Sequence, residues 1–295
     1  MSSLSYAAPS SVDEAVKLLA GTAGLAKVLS GGTDLLVQMR AGRMKPELIV
    51  DVKKVPGAIG MRKENGAWII GGATPGAEVE ANAELTKDWP GLVEALDLIG
   101  STQVQGRCSL AGNLCNASPA ADSVPAMYAA GAICVVVGPN GAREVPVEQI
   151  PAGPGRTTLA KGEFILEIKF PARTARSGDA YLRFIPRTEM DIAVVGCGVN
   201  VTLDANGVCT AARVSLGAVA PTVMLVDECA KILIGHKLDD ATLAALDKAA
   251  QAACKPISDK RGTIEFRTKI AGVLARRTAA IAFDRAAGKT TGKAH

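Results

Sequence analysis

AKVLSGGTDLLVQMR, residues 26–40, holds the turn from which the fold is read. Ala26 to Leu29 is a short apolar run suited to a strand, and a helix is expected from about Leu35. Between them stand Ser30, Gly31, Gly32, Thr33 and Asp34. Glycines let a backbone take positive φ and let a ligand approach with no Cβ in the way. The helix start adds N–H donors without partners and the positive end of its dipole. Such a turn can cradle a phosphate. No Gly-Lys-Ser/Thr follows, so it is not a Walker A, and its spacing is not GxGxxG. Taken alone, the same residues also describe a structural turn capped by Thr33 or Asp34.

Upstream, SSVDEAVKLLA carries a capping box from Ser11 to Glu14 ahead of apolar residues at helical spacing. Downstream, ELIVDV (47–52) is a second strand. The first fifty-odd residues therefore form a small strand–helix unit with the Gly turn at its tip. A second unusual stretch, SLAGNLCNASPAAD (109–122), reads as a loop just before a helix. Its Ser109 and Asn113 can hydrogen-bond phosphate or ribose oxygens, and Asp122 can accept from a ribose hydroxyl or a flavin N–H. Two separate cradles suit a diphosphate joining two nucleotide halves better than a single phosphate.

The rest of the chain divides by pattern. AWIIGGAT (67–74), AICVVVG (132–138) and EFILEIKF (163–170) are strand-like, with helices expected over 89–100 and 122–130. PARTARSG (171–178) has the composition of a linker. Beyond it, strands over 191–203 and 209–220 are joined by DANG, a hairpin signal. Helical patterns follow over 223–234, 241–253 and 262–287. The last, bearing Lys269, Arg276, Arg277 and Arg285, reads as a solvated amphipathic helix. The fold class is α+β, with parts 1–56, 57–176 and 177–295.

Composition excludes several functions. The 295 residues are 48% hydrophobic and 21% charged, enough to bury a core and too apolar for disorder. A net charge of +4 with no Lys/Arg block, and 3% aromatic residues, argue against nucleic acid. The N-terminus lacks a signal-peptide pattern and no apolar run spans a bilayer, so cytoplasm is the expected location. The seven cysteines form no CxxC pair; Cys108 and Cys115 are the only close pair, and no metal site is expected. The two histidines, His236 and His295, offer no acid–base or nucleophilic constellation, so no catalytic residue is assigned.

The paired stretches SGGTDLLVQM and SLAGNLCNASPAAD resemble the FAD-binding medium subunits of the molybdenum hydroxylases, the family of xanthine dehydrogenase and aerobic carbon monoxide dehydrogenase. The resemblance continues through GEFILEIKFP, RTEMDIAVVGCGV and RGTIEFRTKIAGVLARR, and so covers essentially the whole chain. It implies a two-part FAD-binding domain of the PCMH type: a small α/β subdomain and a larger mixed-sheet subdomain with helices. A C-terminal antiparallel sheet with a helical bundle, of the carbon monoxide dehydrogenase flavoprotein type, completes the implied fold. It also implies that Ser30, Gly31, Gly32, Thr33 and Asp34 hold the FAD diphosphate through backbone N–H groups. Ser109, Gly112, Asn113 and Asn116 would complete the diphosphate and ribityl contacts, with Asp122 deeper in the site. Ile165 or Leu166 would pack on the flavin face, and Arg183, Arg187 and Asp191 would lie near the flavin or its rim. Arg187 and Asp191 read equally as a surface ion pair. The family's Gly-Thr-Ile-Gly-Gly is here Cys108–Gly112, so two glycines are lost and Ala111 needs negative φ or strain. Gln105 stands where an Arg often precedes this loop. No cysteine-bearing insertion follows Asn116, so no iron–sulfur cluster is expected on this chain.

The function implied is an electron-transfer subunit. A large partner would carry the molybdenum cofactor and a small partner two [2Fe-2S] clusters, in a dimer of heterotrimers. Electrons would reach FAD here and leave to NAD, a quinone, a cytochrome or O2, with the complex in the cytoplasm or peripherally at the inner face of the membrane. Two rivals stand beside it: a self-sufficient FAD-dependent oxidase or dehydrogenase, and a non-catalytic nucleotide-binding scaffold.

Overall fold

The computed structural model describes residues 4–188 and 190–289. Among the described residues three larger sheets follow one another along the chain, with a two-stranded ribbon beside the second. The first part holds β1 (Ser5–Ala7), α1 (Val12–Gly21), β2 (Ala26–Leu29), α2 (Leu35–Arg40) and β3 (Leu48–Asp51). Its strands are parallel, in the order β1-β3-β2. Parallel neighbours need a crossover, which α2 supplies between β2 and β3. Helix α1 starts where Ser11 Oγ accepts the Glu14 N–H at 3.2 Å. Glu14 reaches back to the Ser10 N–H at 2.9 Å, so the box closes one residue earlier than expected. The buried face of α1, Ala15 and Leu19, packs with Val50, Val52 and Phe164.

The second part contains β4 (Met61–Glu64), β5 (Ala67–Gly71), α3 (Gly76–Glu80), α4 (Ala83–Asp88), α5 (Pro90–Asp97), α6 (Thr102–Gln105), α7 (Leu110–Cys115) and α8 (Ser123–Ala130). It continues with β6 (Ile133–Gly138), β7 (Gly141–Pro146), β8 (Pro151–Gly153), β9 (Arg156–Thr157) and β10 (Phe164–Phe170). Five strands form an antiparallel sheet in the order β4-β5-β10-β6-β7. Trp89, Leu92, Leu96 and Met127 bury their side chains against Ile70 and Phe170 of that sheet. Each such burial is worth about 1.5–3 kcal/mol. The segment 109–115, expected as loop, is helical from Leu110. Ser109 caps it through a 3.2 Å bond from the Gly112 N–H. Ala111 therefore sits in the first helical turn, and it is absent from the residues with positive φ. Of the two outcomes expected at Ala111, negative φ or strain, the structure has the first. Ala117, just beyond α7, takes positive φ instead, at 50°.

The third part has β11 (Ser177–Phe184), β12 (Val195–Leu203), β13 (Cys209–Gly217) and β14 (Met224–Leu225), antiparallel in that order. Helices α9 (Asp227–Leu233), α10 (Asp240–Ala253) and α11 (Ile264–Ala286) complete it. At the DANG hairpin, Asp204 Oδ1 accepts the N–H groups of Asn206 and Val208, each at 2.8 Å. The helical pattern expected over 223–234 splits into β14 and α9. Helix α11 lies across β11 and β12 with Ala271, Ala275, Ala279 and Ala282 buried. That approach is close: a Cβ on Gly178 would stand 2.2 Å from the Ala282 carbonyl oxygen. The final helix is not solvated throughout, as its composition suggested. Arg285 turns inward to an ion pair with Glu94 of α5 and donates to the Asp179 carbonyl at 2.8 Å. Arg276 pairs with Asp247 at 2.7 Å.

Candidate functional site

The two glycine-bearing segments meet. Gly31 backs directly onto the start of the second segment, where a Cβ would fall 1.8 Å from the Arg107 carbonyl oxygen. Only a residue without a side chain permits that contact. Gly32 takes φ +80°, the left-handed region that glycine enters freely. Gly112 faces Ser109 Oγ and Ser30 from the other side. Gln38 Nε2 of α2 donates to Asn116 Oδ1 at 2.9 Å, tying the helices that follow the two turns. Lys53 braces the first turn from behind, donating to the Ser30 carbonyl at 3.1 Å while paired with Asp51 at 2.7 Å.

Above this junction opens a cleft of about 490 Å³, within the ~300–1,000 Å³ typical of small-molecule sites. Ser30, Gly31, Gly32, Thr33, Asp34, Ser109, Gly112, Asn113, Asn116 and Ile165 line it. Among the described residues, no protein acceptor receives the backbone N–H groups of Gly32, Thr33 and Asp34, nor those of Leu110 and Ala111. Asn113 spends its Oδ1 on the Ser123 N–H and hydroxyl, at 3.2 and 2.7 Å. Asn116 spends its own on Gln38. Both amides are thereby oriented with NH2 groups left to donate. A cleft whose polar lining offers mainly donors matches an anionic, oxygen-rich ligand, and the convergence of two such turns matches a diphosphate. The residues present therefore fit FAD.

Five of the expected site residues lie outside the cleft lining. Leu166 occupies a bulge in β10 and packs towards the core under the first sheet. Asp122 is buried against Arg183 at 3.0 Å and the Tyr181 hydroxyl at 3.1 Å. Burial pushes its carboxyl up to about 6, with Arg183 and Tyr181 opposing the shift. Arg183 also donates to the Leu98 carbonyl at 2.7 Å. Arg187 and Asp191 pair at 3.1 Å in an exposed segment, and the bond from Arg187 holds the Asp191 carboxyl below its usual value.

The cleft also takes residues that pattern reading passed over. Lys27 on β2, Lys161 on the approach to β10, Gln38, Ile99 and Phe164 are among its lining. The signal for Lys161 was available in TTLAKGEF, a Lys-Gly turn entering a strand. Cys108 and Cys115 line the cleft too, but burial raises their thiols to about 11 and about 12, so both stay protonated and unreactive. Among the described residues no group of three or more His, Cys, Asp or Glu gathers to hold a metal, and no helix is long and apolar enough to cross a membrane. His236 is exposed.

Two family models match the chain in succession. Residues 2–173 match the family described as the FAD binding domain in molybdopterin dehydrogenase, and residues 180–282 match the CO dehydrogenase flavoprotein C-terminal domain. The chain is 33% identical to the carbon monoxide dehydrogenase medium chain of Hydrogenophaga pseudoflava, over 96% of this chain and 98% of that one. It is 28% identical to the xanthine dehydrogenase FAD-binding subunit of Escherichia coli O157:H7, over 97% and 98%. Its fold superposes on a chain of the solved Hydrogenophaga pseudoflava carbon monoxide dehydrogenase lacking the Mo-pyranopterin moiety. That match has a TM-score of 0.92 at 33% identity, covering 96% of this chain and 98% of that one.

Proposed function

The chain belongs to the family of FAD-binding subunits of molybdopterin dehydrogenases, and from that premise we propose that its two converging turns grip FAD for electron transfer within a molybdenum hydroxylase. FAD supplies a carrier that takes electrons singly from iron–sulfur clusters and releases them in pairs. The chain's own part is to bind and orient it. Backbone N–H groups of Gly32 to Asp34 and of Leu110 and Ala111 donate to the diphosphate. The Asn113 and Asn116 amides, fixed by Ser123 and Gln38, donate to the neighbouring phosphate or ribityl oxygens. Lys27 and Lys161 offset the diphosphate charge, and Ile165 offers an apolar surface for a ring. Asp122 and Arg183 hold each other and stiffen the wall formed by α8 and β11.

Small [2Fe-2S] and large molybdenum-cofactor subunits complete the proposed heterotrimer, paired in a dimer of heterotrimers, with NAD or a quinone as final acceptor. Action in the cytoplasm or against the inner face of a membrane goes with such an acceptor. The observation that carries the reading is the junction at Gly31, which brings two donor-rich turns to one cleft. Gly32→Val tests it. At φ +80° a valine is strained, and its Cβ would meet Leu29 at 2.8 Å. The purified wild-type chain is expected to carry about one flavin per chain, read from its visible absorbance, and the variant less than a tenth of that. Equal flavin in a variant that remains folded by circular dichroism sinks the reading.

A further inference from the structure

The turn at Ser30 and Gly31 is fixed from the side away from the cleft. In the first sheet the last residue of β3, Asp51, stands beside the last residue of β2, Leu29, where that turn begins. Asp51 is 8% exposed, and its carboxylate is held at both oxygens. Tyr6 of β1 donates its hydroxyl to Oδ2 at 2.7 Å. Oδ1 accepts the Lys53 backbone N–H at 3.1 Å and the Lys53 ammonium at 2.7 Å. The same ammonium donates to the Ser30 carbonyl at 3.1 Å. Three strands thus supply a chain of contacts that ends on one peptide group.

The geometry of that peptide carries the consequence. A trans peptide is planar, with its C=O and N–H antiparallel. No described peptide bond is cis. Drawing the Ser30 carbonyl toward Lys53 therefore turns the Gly31 N–H the opposite way. Gly31 lines the cleft and Lys53 does not, so that donor faces the cleft. Among the described residues no protein acceptor receives it. Gly31 has no side chain by which to be held, and a Cβ there would collide with the Arg107 carbonyl oxygen. The orientation of its N–H has to be imposed by a neighbour.

We propose that Lys53 is a positioning residue for the cofactor: locked by Asp51, it pins the Ser30 carbonyl and so aims the Gly31 N–H at the diphosphate. The proposal rests on the flavin reading above and names the side chain that sets the donor geometry of that site. Lys53 acts through the peptide and not on the ligand. A donor held in place beforehand loses no freedom when the ligand arrives. One charge-assisted hydrogen bond of this kind is worth about tenfold in affinity. A cation acting only by its charge would be interchangeable with Lys54, the exposed lysine next in the chain.

The test uses the full chain, stripped of flavin and titrated with FAD and with ADP, which share the diphosphate. Lys53→Met is expected to weaken both ligands about tenfold and alike. Lys53→Arg, which keeps the charge and the donors, is expected to bring both back to within about threefold of wild type. Lys54→Met removes the same charge one residue away and is expected to change neither. Phosphorus NMR of bound FAD should show the diphosphate resonances displaced in Lys53→Met and returned in Lys53→Arg. Should Lys53→Met fail to fold by circular dichroism, Lys53→Met combined with Asp51→Asn, which removes the stranded carboxylate, takes its place with the same expectation. Wild-type affinity without Lys53, an equal loss in Lys54→Met, no recovery in Lys53→Arg, or undisplaced phosphorus resonances overturns the proposal. A wild-type chain that binds ADP in a Lys53-dependent way but not FAD sinks the flavin reading and leaves the role of Lys53 standing. Binding of neither ligand overturns both.

Discussion

Gly31 carries more of the site than its neighbour Gly32, although the sequence presents them as a matched pair. Gly32 needs its positive φ; Gly31 needs the absence of a side chain because a carbonyl oxygen from residue 107 occupies the space. Gly31→Ala is therefore expected to push the two turns apart. The cost is about 3 kcal/mol, the upper part of the range for overpacking, with flavin occupancy falling alongside. Chemical denaturation and the flavin-to-protein ratio read the two effects; an alanine variant of wild-type stability and occupancy would mean the turns do not meet. No pattern along the chain could have identified that partner, since Arg107 is remote in sequence and contributes only backbone.

At the scale of elements, α7 is the instructive case. SLAGNLC is poor in bulky residues, which reads as loop, yet Ser109 supplies an N-cap and the helix buries Leu110 and Leu114. Ser109→Ala should cost about 1 kcal/mol, the usual worth of such a cap. It should also weaken flavin binding several-fold, because the cap aims the N–H groups of Leu110 and Ala111. Ser109→Asp keeps the cap but adds charge beside the diphosphate. It should regain the stability, read by thermal melts, without regaining the affinity, read by flavin release on dilution. Recovery of both would show that the cap alone matters. Strands such as β2, β6 and β10 were legible because their apolar runs end at Gly or Pro. The short β1 and β4 and the eight-residue β11 were not, for β4 is largely charged and β11 opens inside the stretch read as a linker.

Across the whole molecule, the second and third parts are joined by buried charge. Asp179 of β11 accepts the Gly91 N–H at 2.9 Å and pairs with Arg173 at 3.2 Å, while Glu94 accepts the Tyr181 N–H at 3.1 Å. Burial lifts Asp179, like Asp122, to about 6, with nearby arginines opposing the shift. A carboxyl whose folded pKa exceeds its unfolded value of about 3.9 binds more protons in the native state. Its contribution therefore favours the fold below about pH 4 and is lost as pH rises to about 6, at up to about 1.4 kcal/mol per pH unit. Carboxyls held low, such as Asp51 and Asp88, act in the opposite sense and only at lower pH. Asp122→Asn should flatten the loss of stability between pH 5 and 6, measured by urea midpoints; an unchanged slope would place the titration elsewhere. Arg183→Leu strands the buried Asp122 carboxylate and should cost about 3–5 kcal/mol.

The sequence by itself determined the local chemistry: a strand, a bare turn and a helix at residues 26–40, donors at 109–116, and an all-antiparallel hairpin at DANG. These are set by spacing, capping and glycine, which act over a few residues. The resemblance in its motifs also put a FAD-binding domain ahead of a C-terminal one, and the family matches agree on that order. Tertiary structure alone decided that the turns touch through Gly31, that Lys27 and Lys161 reach the cleft, and that Asp122 and Arg183 neutralise each other away from its lining. It also decided that Arg285 of a basic-looking helix turns inward to an ion pair with Glu94. Each of these depends on which distant backbone or charge stands opposite, and a side chain's role follows from its neighbour in space.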